Sequence, residues 1–398
     1  MRSNIGTLEH SRCCGCKACG DVCPSGAISF HTDEEGFFYP SVGDGCVECG
    51  LCVKVCPAST PLRDYKLHEQ SFIGCLDKNK ERRDTGSSGG IFGLLASKKL
   101  AENFLVCGAA FDEELKLCHI LVDNEKDLGP LKKSKYLQSD CNGIYKRIKE
   151  CLASGRKVMF VGTPCQCDAI RHYFRGKEEK LLLVDFACHG VPSQELFDRC
   201  KQYYEENHQC KVKSFSFRYK PKQYGSPQNF LLLFDKDGKR IKRNGPYYKY
   251  PFYCGFQKYI TLRPSCYTCQ WAKTERVSDI TLADFWGVEL ATEKWDRTDT
   301  PSLVIINSER GKQLFQEIEG EIDFFLTDRE HAVRRNGSLI KSTSLKKERQ
   351  LFFADMQSLP FQKVVERYLS VRRSWAMDIY YAVPFSVRKF FLKFLNKL

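Results

Sequence analysis

The sequence predicts an α/β protein with α+β elements: a small α+β module, a body built on a mixed sheet, and a helical C-terminal extension. Three observations carry this. A four-cysteine run appears twice within the first 60 residues, short apolar runs alternate with helical stretches from Ile91 to Asn307, and residues 331–398 are rich in aromatics at helical spacing. At 398 residues with 42% hydrophobic composition, the chain is globular and too long for one small core.

The first module, residues 1–60, rests on the cysteines. Cys13, Cys16, Cys19 and Cys23 precede Pro24, and Cys46, Cys49, Cys52 and Cys56 precede Pro57. Both runs read C-x2-C-x2-C-x3-C-P, the bacterial-ferredoxin spacing for two 4Fe-4S clusters. Three closely spaced thiolates wrap one corner of a cluster, and the fourth points to the other cluster. Cluster one is therefore expected on Cys13, Cys16, Cys19 and Cys56, and cluster two on Cys46, Cys49, Cys52 and Cys23. Cys14 breaks the register and is not expected to be a ligand. A pair of zinc sites is the alternative, but zinc usually takes separated C-x2-C pairs. The module is thus a small ferredoxin-like α+β unit that moves single electrons.

A connector is expected over residues 61–83. A first body region covers 84–160, with a helix over Ile91–Leu100, paired strands over Phe104–Phe111 and Lys116–Val122, and a helix over Tyr145–Ala153. Strand Lys157–Val161 leads into a second region, 161–330. There Leu181–Phe186 reads as a buried strand, and Leu231–Phe234 forms a hairpin about Asp237-Gly238. Strands Ile280–Phe285 and Ser302–Asn307 complete this set. A helical extension takes residues 331–398.

Three loops carry residues able to do chemistry. Thr85-Gly86-Ser87-Ser88-Gly89-Gly90 stands directly before a helix, where glycines let backbone N–H groups approach a phosphate. An ordinary serine cap is the alternative, and the loop is neither G-x-G-x-x-G nor a Walker sequence. Gly162-Thr163-Pro164-Cys165-Gln166-Cys167 and Cys188-His189-Gly190 both follow strands, the usual place for ligands in open α/β sheets. With the C-x2-C pair Cys266 and Cys269, the thiols of Cys165 and Cys188 suggest a third cluster. A zinc site or four unrelated thiols remain open alternatives.

The 62 basic and 49 acidic residues leave a formal charge of +13. Three oxidised clusters would lower it to roughly +7. The basic residues are dispersed, and no nucleic-acid motif accompanies them, so no nucleic-acid partner is expected. No apolar leader precedes the cysteines, and thiolate clusters need reducing surroundings, which points to the cytoplasm. Residues 385–398 place Val387, Phe390, Phe391, Phe394, Leu395 and Leu398 on one helical face and Arg388, Lys389, Lys393 and Lys397 on the other. Such a tail either packs on the body or a partner subunit, or lies on the inner membrane surface.

Taken together, these motifs resemble the coenzyme F-420 hydrogenase/dehydrogenase beta-subunit family. The matching stretches are Ser87–Gly90, Lys135–Ser139, Gly162–Gln166, Asp185–Ser193 and Arg263–Gly287, with Asp33–Pro40 as an insert between the two cysteine runs. The resemblance implies a flavin-binding body that holds FAD, which converts hydride transfer into single-electron steps. It would place Ser87, Ser88, Gly89, Gly90, Lys135 and Thr163 around the flavin, and Cys165, Cys188, Cys266 and Cys269 on a proximal cluster. Lys135 would stabilise reduced flavin, and His189 is the nearest candidate acid. A deazaflavin coenzyme as substrate is the least transferable implication. The expected function is an iron–sulfur flavoprotein oxidoreductase fed by a ferredoxin-type donor, with cell-envelope polysaccharide synthesis as one setting. The alternative is an electron-transfer adaptor within a larger hydrogenase or dehydrogenase. No nickel-iron motif occurs in the sequence.

Overall fold

A computed structural model describes residues 4–60, 69–175, 178–220, 229–295, 299–371 and 383. In the N-terminal module, helix α1 (Ala18–Val22), strands β1 (Ile28–Thr32) and β2 (Phe38–Val42), and helix α2 (Leu51–Lys54) follow in order. β1 and β2 form an antiparallel ribbon with Ile28 opposite Val42. Asp33 closes its turn, because its carboxylate accepts from the N–H groups of Glu35 (3.1 Å) and Phe37 (2.8 Å).

The body begins with β3 (Ser71–Asp77), α3 (Lys80–Thr85), α4 (Ile91–Ala101), β4 (Phe104–Phe111) and β5 (Leu117–Val122). It continues through α5 (Ile144–Ala153), β6 (Lys157–Gly162), α6 (Pro164–Tyr173), β7 (Leu181–Phe186) and α7 (Gln194–His208). An antiparallel excursion follows: β8 (Lys211–Tyr219), β9 (Asn229–Lys236) and β10 (Lys239–Pro246), closed by α8 (Pro251–Gln257). The chain returns as β11 (Ile280–Asp284), β12 (Ser302–Ile306), α9 (Glu309–Gln316) and β13 (Ile322–Thr327). Helices α10 (Arg329–Val333), α11 (Lys347–Ser358) and α12 (Phe361–Tyr368) come last.

Eight strands form one sheet in the order β13-β3-β12-β11-β7-β6-β4-β5. The central neighbours β11, β7, β6 and β4 run parallel, and the remaining pairings are antiparallel. Both faces are covered, as a parallel core requires. Val106, Val184, Ile280 and Val304 pack under α4 and α9 on one face. Leu105, Cys107, Val158 and Phe160 pack under α5, α6 and the N-terminal module on the other.

Two expected divisions need correction. The stretch 61–83 is not only a connector, because β3 lies inside the main sheet between β12 and β13. Gly74 interrupts its apolar run, yet a side chain there would collide with the Phe325 ring of β13. The division at 160/161 falls within β6, so the two body regions share one sheet. The hairpin about Asp237-Gly238 is present, but it belongs to the separate three-stranded sheet. Residues 385–398 lie outside the described residues. Among the described residues, no helix is long and apolar enough to cross a membrane.

Candidate metal and cofactor site

The eight N-terminal cysteines surround two adjoining cavities. Cys13, Cys16, Cys19 and Cys56 line one, with Cys14 beside them and about 360 Å³ of space. Cys46, Cys49, Cys52 and Cys23 line the other, with about 300 Å³. The fourth cysteine of each run therefore lines the other run's cavity. The two differ in exposure. Cys16, Cys19 and Cys56 are buried, whereas Cys49 is exposed and Val47 beside it is 68% exposed. Among the described residues, no three ligating side chains converge on a single-ion position. Burial pushes the thiols of Cys19, Cys52 and Cys56 up, and neighbouring cysteines add to the shift. Such crowded thiols lose their protons when a cation is held among them, so the donor set fits iron–sulfur clusters.

The inner cavity is fixed to the body through main-chain carbonyls. Arg263 is fully buried; its Nε donates to Cys13 O (2.7 Å), Nη1 to Gln138 Oε1 (2.9 Å) and Nη2 to Phe38 O (2.9 Å). Its guanidinium also lies 4.3 Å from the Tyr39 ring centroid. Gln138 donates to the carbonyls of Cys14 and Gly15, and Tyr145 Oη donates to Cys16 O at 2.9 Å. Gly15 has φ +68°, and a side chain there would strike Gln138. Asp21 caps α5 from outside that helix, accepting from the N–H groups of Gly143 and Tyr145 at 2.9 Å each.

A second thiol group lies behind this joint. Cys165 occupies the first turn of α6, Cys188 follows β7, and Cys266 and Cys269 follow Arg263. Burial pushes Cys188 up to about 12 and Cys269 up to about 11, and the charges of the other thiols in the set contribute to both shifts. Cys266 is raised by burial first and then by Cys188, Cys269 and Cys165. The four therefore share one neighbourhood. Cys14 touches both groups: its thiol interacts with Cys16 on one side and with Cys165 on the other. Cys167 instead faces the carbonyls of Gly162 and Val184 in the core.

The serine–glycine loop carries a third set of contacts. Gly90 has φ +89° and caps the start of α4. Ser87 Oγ accepts from Ser134 N at 2.7 Å, and Ser88 Oγ donates to Pro301 O at 2.9 Å. Gly89 N donates to Ser302 Oγ at 2.9 Å. Cations converge here from distant parts of the chain. Arg218 Nη2 donates to Ser87 O (2.8 Å), its Nη1 pairs with Asp284 (2.7 Å), and Lys220 donates to Ser88 O (2.7 Å). Burial and then Arg218 push Lys220 down to about 8. Lys135 keeps some surface, but its ammonium lies in crowded surroundings; burial and then Lys133 push it down to about 7. Lys135 Nζ rests on the carbonyls of Pro130 (2.7 Å) and Lys132 (2.9 Å), as Lys220 rests on that of Ser88, so both ammonium groups stand where they could neutralise an anion at the loop.

Of the other expected residues, Thr163 lies with Cys165. Its hydroxyl is 3.1 Å from Cys165 Sγ, and its N–H donates to Gln166 Oε1 at 2.9 Å. His189 lies between the thiols and the loop: its ring faces Tyr259, and Asp284 and Arg218 both act on its charge. Sequence reasoning missed Arg218, Lys220 and Arg263. The alternating run Lys211–Tyr219 could have revealed β8 and so Arg218, but no local pattern announces a guanidinium that binds a loop 131 residues away.

Residues 155–329 match the family described as the C terminus of the coenzyme F-420 hydrogenase/dehydrogenase beta subunit, and residues 12–60 match the 4Fe-4S dicluster domain. The F subunit of the F(420)H(2) dehydrogenase of Methanosarcina mazei is 24% identical over 187 residues, which cover 44% of this chain. That match spans about half of the relative, 53% of its length. An uncharacterised ferredoxin of Methanocaldococcus jannaschii is 34% identical over 55 residues, covering 14% of this chain and 71% of the ferredoxin. Among solved structures, the xenon-derivatised F-420-reducing NiFe hydrogenase complex from Methanosarcina barkeri aligns with 68% of this chain and 88% of its own matched chain. Identity there is 16% and the TM-score 0.43.

Proposed function

Because the chain belongs to the coenzyme F-420 hydrogenase/dehydrogenase beta-subunit family and carries a 4Fe-4S dicluster module in front, we propose that it is the electron-transfer subunit of a larger oxidoreductase. The observation that carries this is the succession of thiol groups. An exposed set leads to a buried set, and the buried set touches a third through Cys14. Cys46, Cys49, Cys52 and Cys23 hold the outer cluster, and Cys13, Cys16, Cys19 and Cys56 the inner one. Cys165, Cys188, Cys266 and Cys269 hold a third. A relative named as one component of a dehydrogenase favours this adaptor over a self-contained enzyme. Nothing in the fold or the relatives supports the polysaccharide setting.

FAD is the finer part of the proposal. When bound, it would exchange single electrons with the third cluster and hydride with an organic partner such as a deazaflavin. The α4 N-terminus and the Ser87–Gly90 loop would hold its phosphates, and Lys220 and Lys135 would neutralise them. His189, between the thiols and the loop, would hold or release a proton. Partner subunits or a ferredoxin-type donor would dock over Val47 and Cys49.

Anaerobic purification tests the whole reading. About twelve irons and one FAD per chain are expected, with copurifying oxidoreductase subunits. Iron near eight per chain removes the third cluster, and absence of flavin removes the FAD assignment. A chain that stays alone and reduces an organic substrate by itself defeats the adaptor reading.

A further inference from the structure

Arg276 is 3% exposed, and its Nε, Nη1 and Nη2 have no hydrogen-bond partner among the described residues. A guanidinium has five N–H donors and cannot escape burial by losing its proton. Leaving all of them unsatisfied in the interior is costly unless a bound group accepts from them. The carboxylate of Asp185 is within reach of its charge, but Asp185 faces the hydroxyls of Thr281 and Ser278, and no hydrogen bond joins it to Arg276. The two have not closed into an ion pair. Arg276 sits instead between the C-x2-C pair and β11, and its charge acts on Cys188 and on Cys269. By contrast Arg263, the cation beside Cys13, has its guanidinium engaged by Cys13 O, Gln138 Oε1 and Phe38 O.

We propose that Arg276 is the counter-charge of the third cluster, donating N–H groups to its sulfur atoms and favouring its reduced state. This rests on the third-cluster reading given above. A four-thiolate cluster goes from about −2 to about −3 when it takes one electron, here from the N-terminal clusters, and no bond or proton is exchanged. Hydrogen bonds to the sulfurs and nearby positive charge stabilise the more negative state. Arg276 is thus a positioning residue that makes the innermost centre the electron sink of the chain.

The test is an anaerobic redox titration of the full chain followed by EPR, with iron counted on the same samples. In Arg276→Gln, the ratio of reduced to oxidised third cluster at its wild-type midpoint is expected to fall at least tenfold, which is about 59 mV for a one-electron couple. The two N-terminal clusters should keep their midpoints. Arg276→Lys, which keeps the charge, should recover most of the shift. A third-cluster midpoint unchanged in Arg276→Gln at full iron content overturns the inference alone. Wild-type protein grown on ¹⁵N-arginine supplies a second reading that needs no variant. The reduced third cluster should show a ¹⁵N hyperfine coupling, and its absence counts against the inference. About eight irons in the wild type would overturn the third-cluster reading and this inference together.

Discussion

Replacing Arg263 by methionine should open the joint between the dicluster module and the body. Methionine fills similar space but donates nothing. Three acceptors, Cys13 O, Phe38 O and Gln138 Oε1, would lose the donors that now lie at 2.7, 2.9 and 2.9 Å. Hydrogen bonds from a charged donor contribute about 1.5–3 kcal/mol each, and an orphaned buried acceptor costs about 1–3 kcal/mol. Non-additivity and partial rehydration leave about 3 kcal/mol as a low estimate for the set. At about 1.4 kcal/mol per tenfold, the open population rises more than a hundredfold. The assay is anaerobic iron release to a ferrous chelator, followed by absorbance. The inner cluster has three buried cysteines, so its release depends on opening, whereas the outer cluster starts from an exposed Cys49. The variant should release the inner irons at least tenfold faster, with the outer irons little changed. Inner release within threefold of the wild type would refute the joint as drawn.

Further outcomes follow from the same geometry. Cys266→Ser should lower iron from about twelve to about eight per chain while preserving the EPR signals of the N-terminal pair; a full iron count would show that Cys266 is not a ligand. Cys14→Ala should leave the iron count unchanged but slow electron transfer from the N-terminal pair to the third centre in stopped flow. Equal rates would mean that Cys14 is packing only. ADP, a probe for the phosphate-bearing half of FAD, should bind most tightly below pH about 7. Lys135, pushed down to about 7, is charged below that pH and loses its proton as pH rises through it. In calorimetry, Lys135→Met should remove the step near pH 7 and leave a weaker one near 8 from Lys220; a flat profile would separate the loop from anion binding. Val47→Asp should slow reduction by an external ferredoxin without changing iron content, since Val47 stands exposed at the outer cavity.

How much of this was legible in the sequence depended on whether the signal was local. Cysteine spacing is local, and it located the module and the crossed lining of its two cavities. Apolar runs such as Phe104–Phe111 and Leu181–Phe186 are local too, and they reappear as β4 and β7. Strand β3 was missed because Gly74 breaks its apolar run, and the reason for that glycine is a ring on β13, about 250 residues away. Cys14 looked like a break in register because its second contact, Cys165, lies 151 residues further on. The cations about Ser87–Gly90 come from β8 and the segment just after it, where nothing in the sequence points to a glycine loop. Spacing thus identifies what is held, whereas the charges that tune it arrive through tertiary contacts.

Those contacts give the succession of thiols a direction. At the outer end, Val47 and Cys49 meet solvent, where a partner can approach and the dielectric is high. Further in, the Cys13–Cys16 segment has its carbonyls bound by Arg263, Gln138 and Tyr145, which holds geometry without directing an unpartnered charge at the sulfurs. At the inner end, Arg276 brings a guanidinium without hydrogen-bond partners among the described residues to the third thiol group, and Lys220 and the Arg218–Asp284 pair stand at the loop beyond it. Solvent exposure therefore decreases along the path, and its inner end carries a guanidinium that no hydrogen bond among the described residues engages. On the proposed reading, electrons added at the surface would be drawn toward the third centre, and a group able to pair them would be supplied one electron at a time. Reversing the charge with Arg276→Glu should leave electrons on the N-terminal pair. In a reductive titration the ferredoxin-type EPR signals would then appear before those of the third centre. If the third centre still reduced first, its potential would be set by something other than the charge of Arg276.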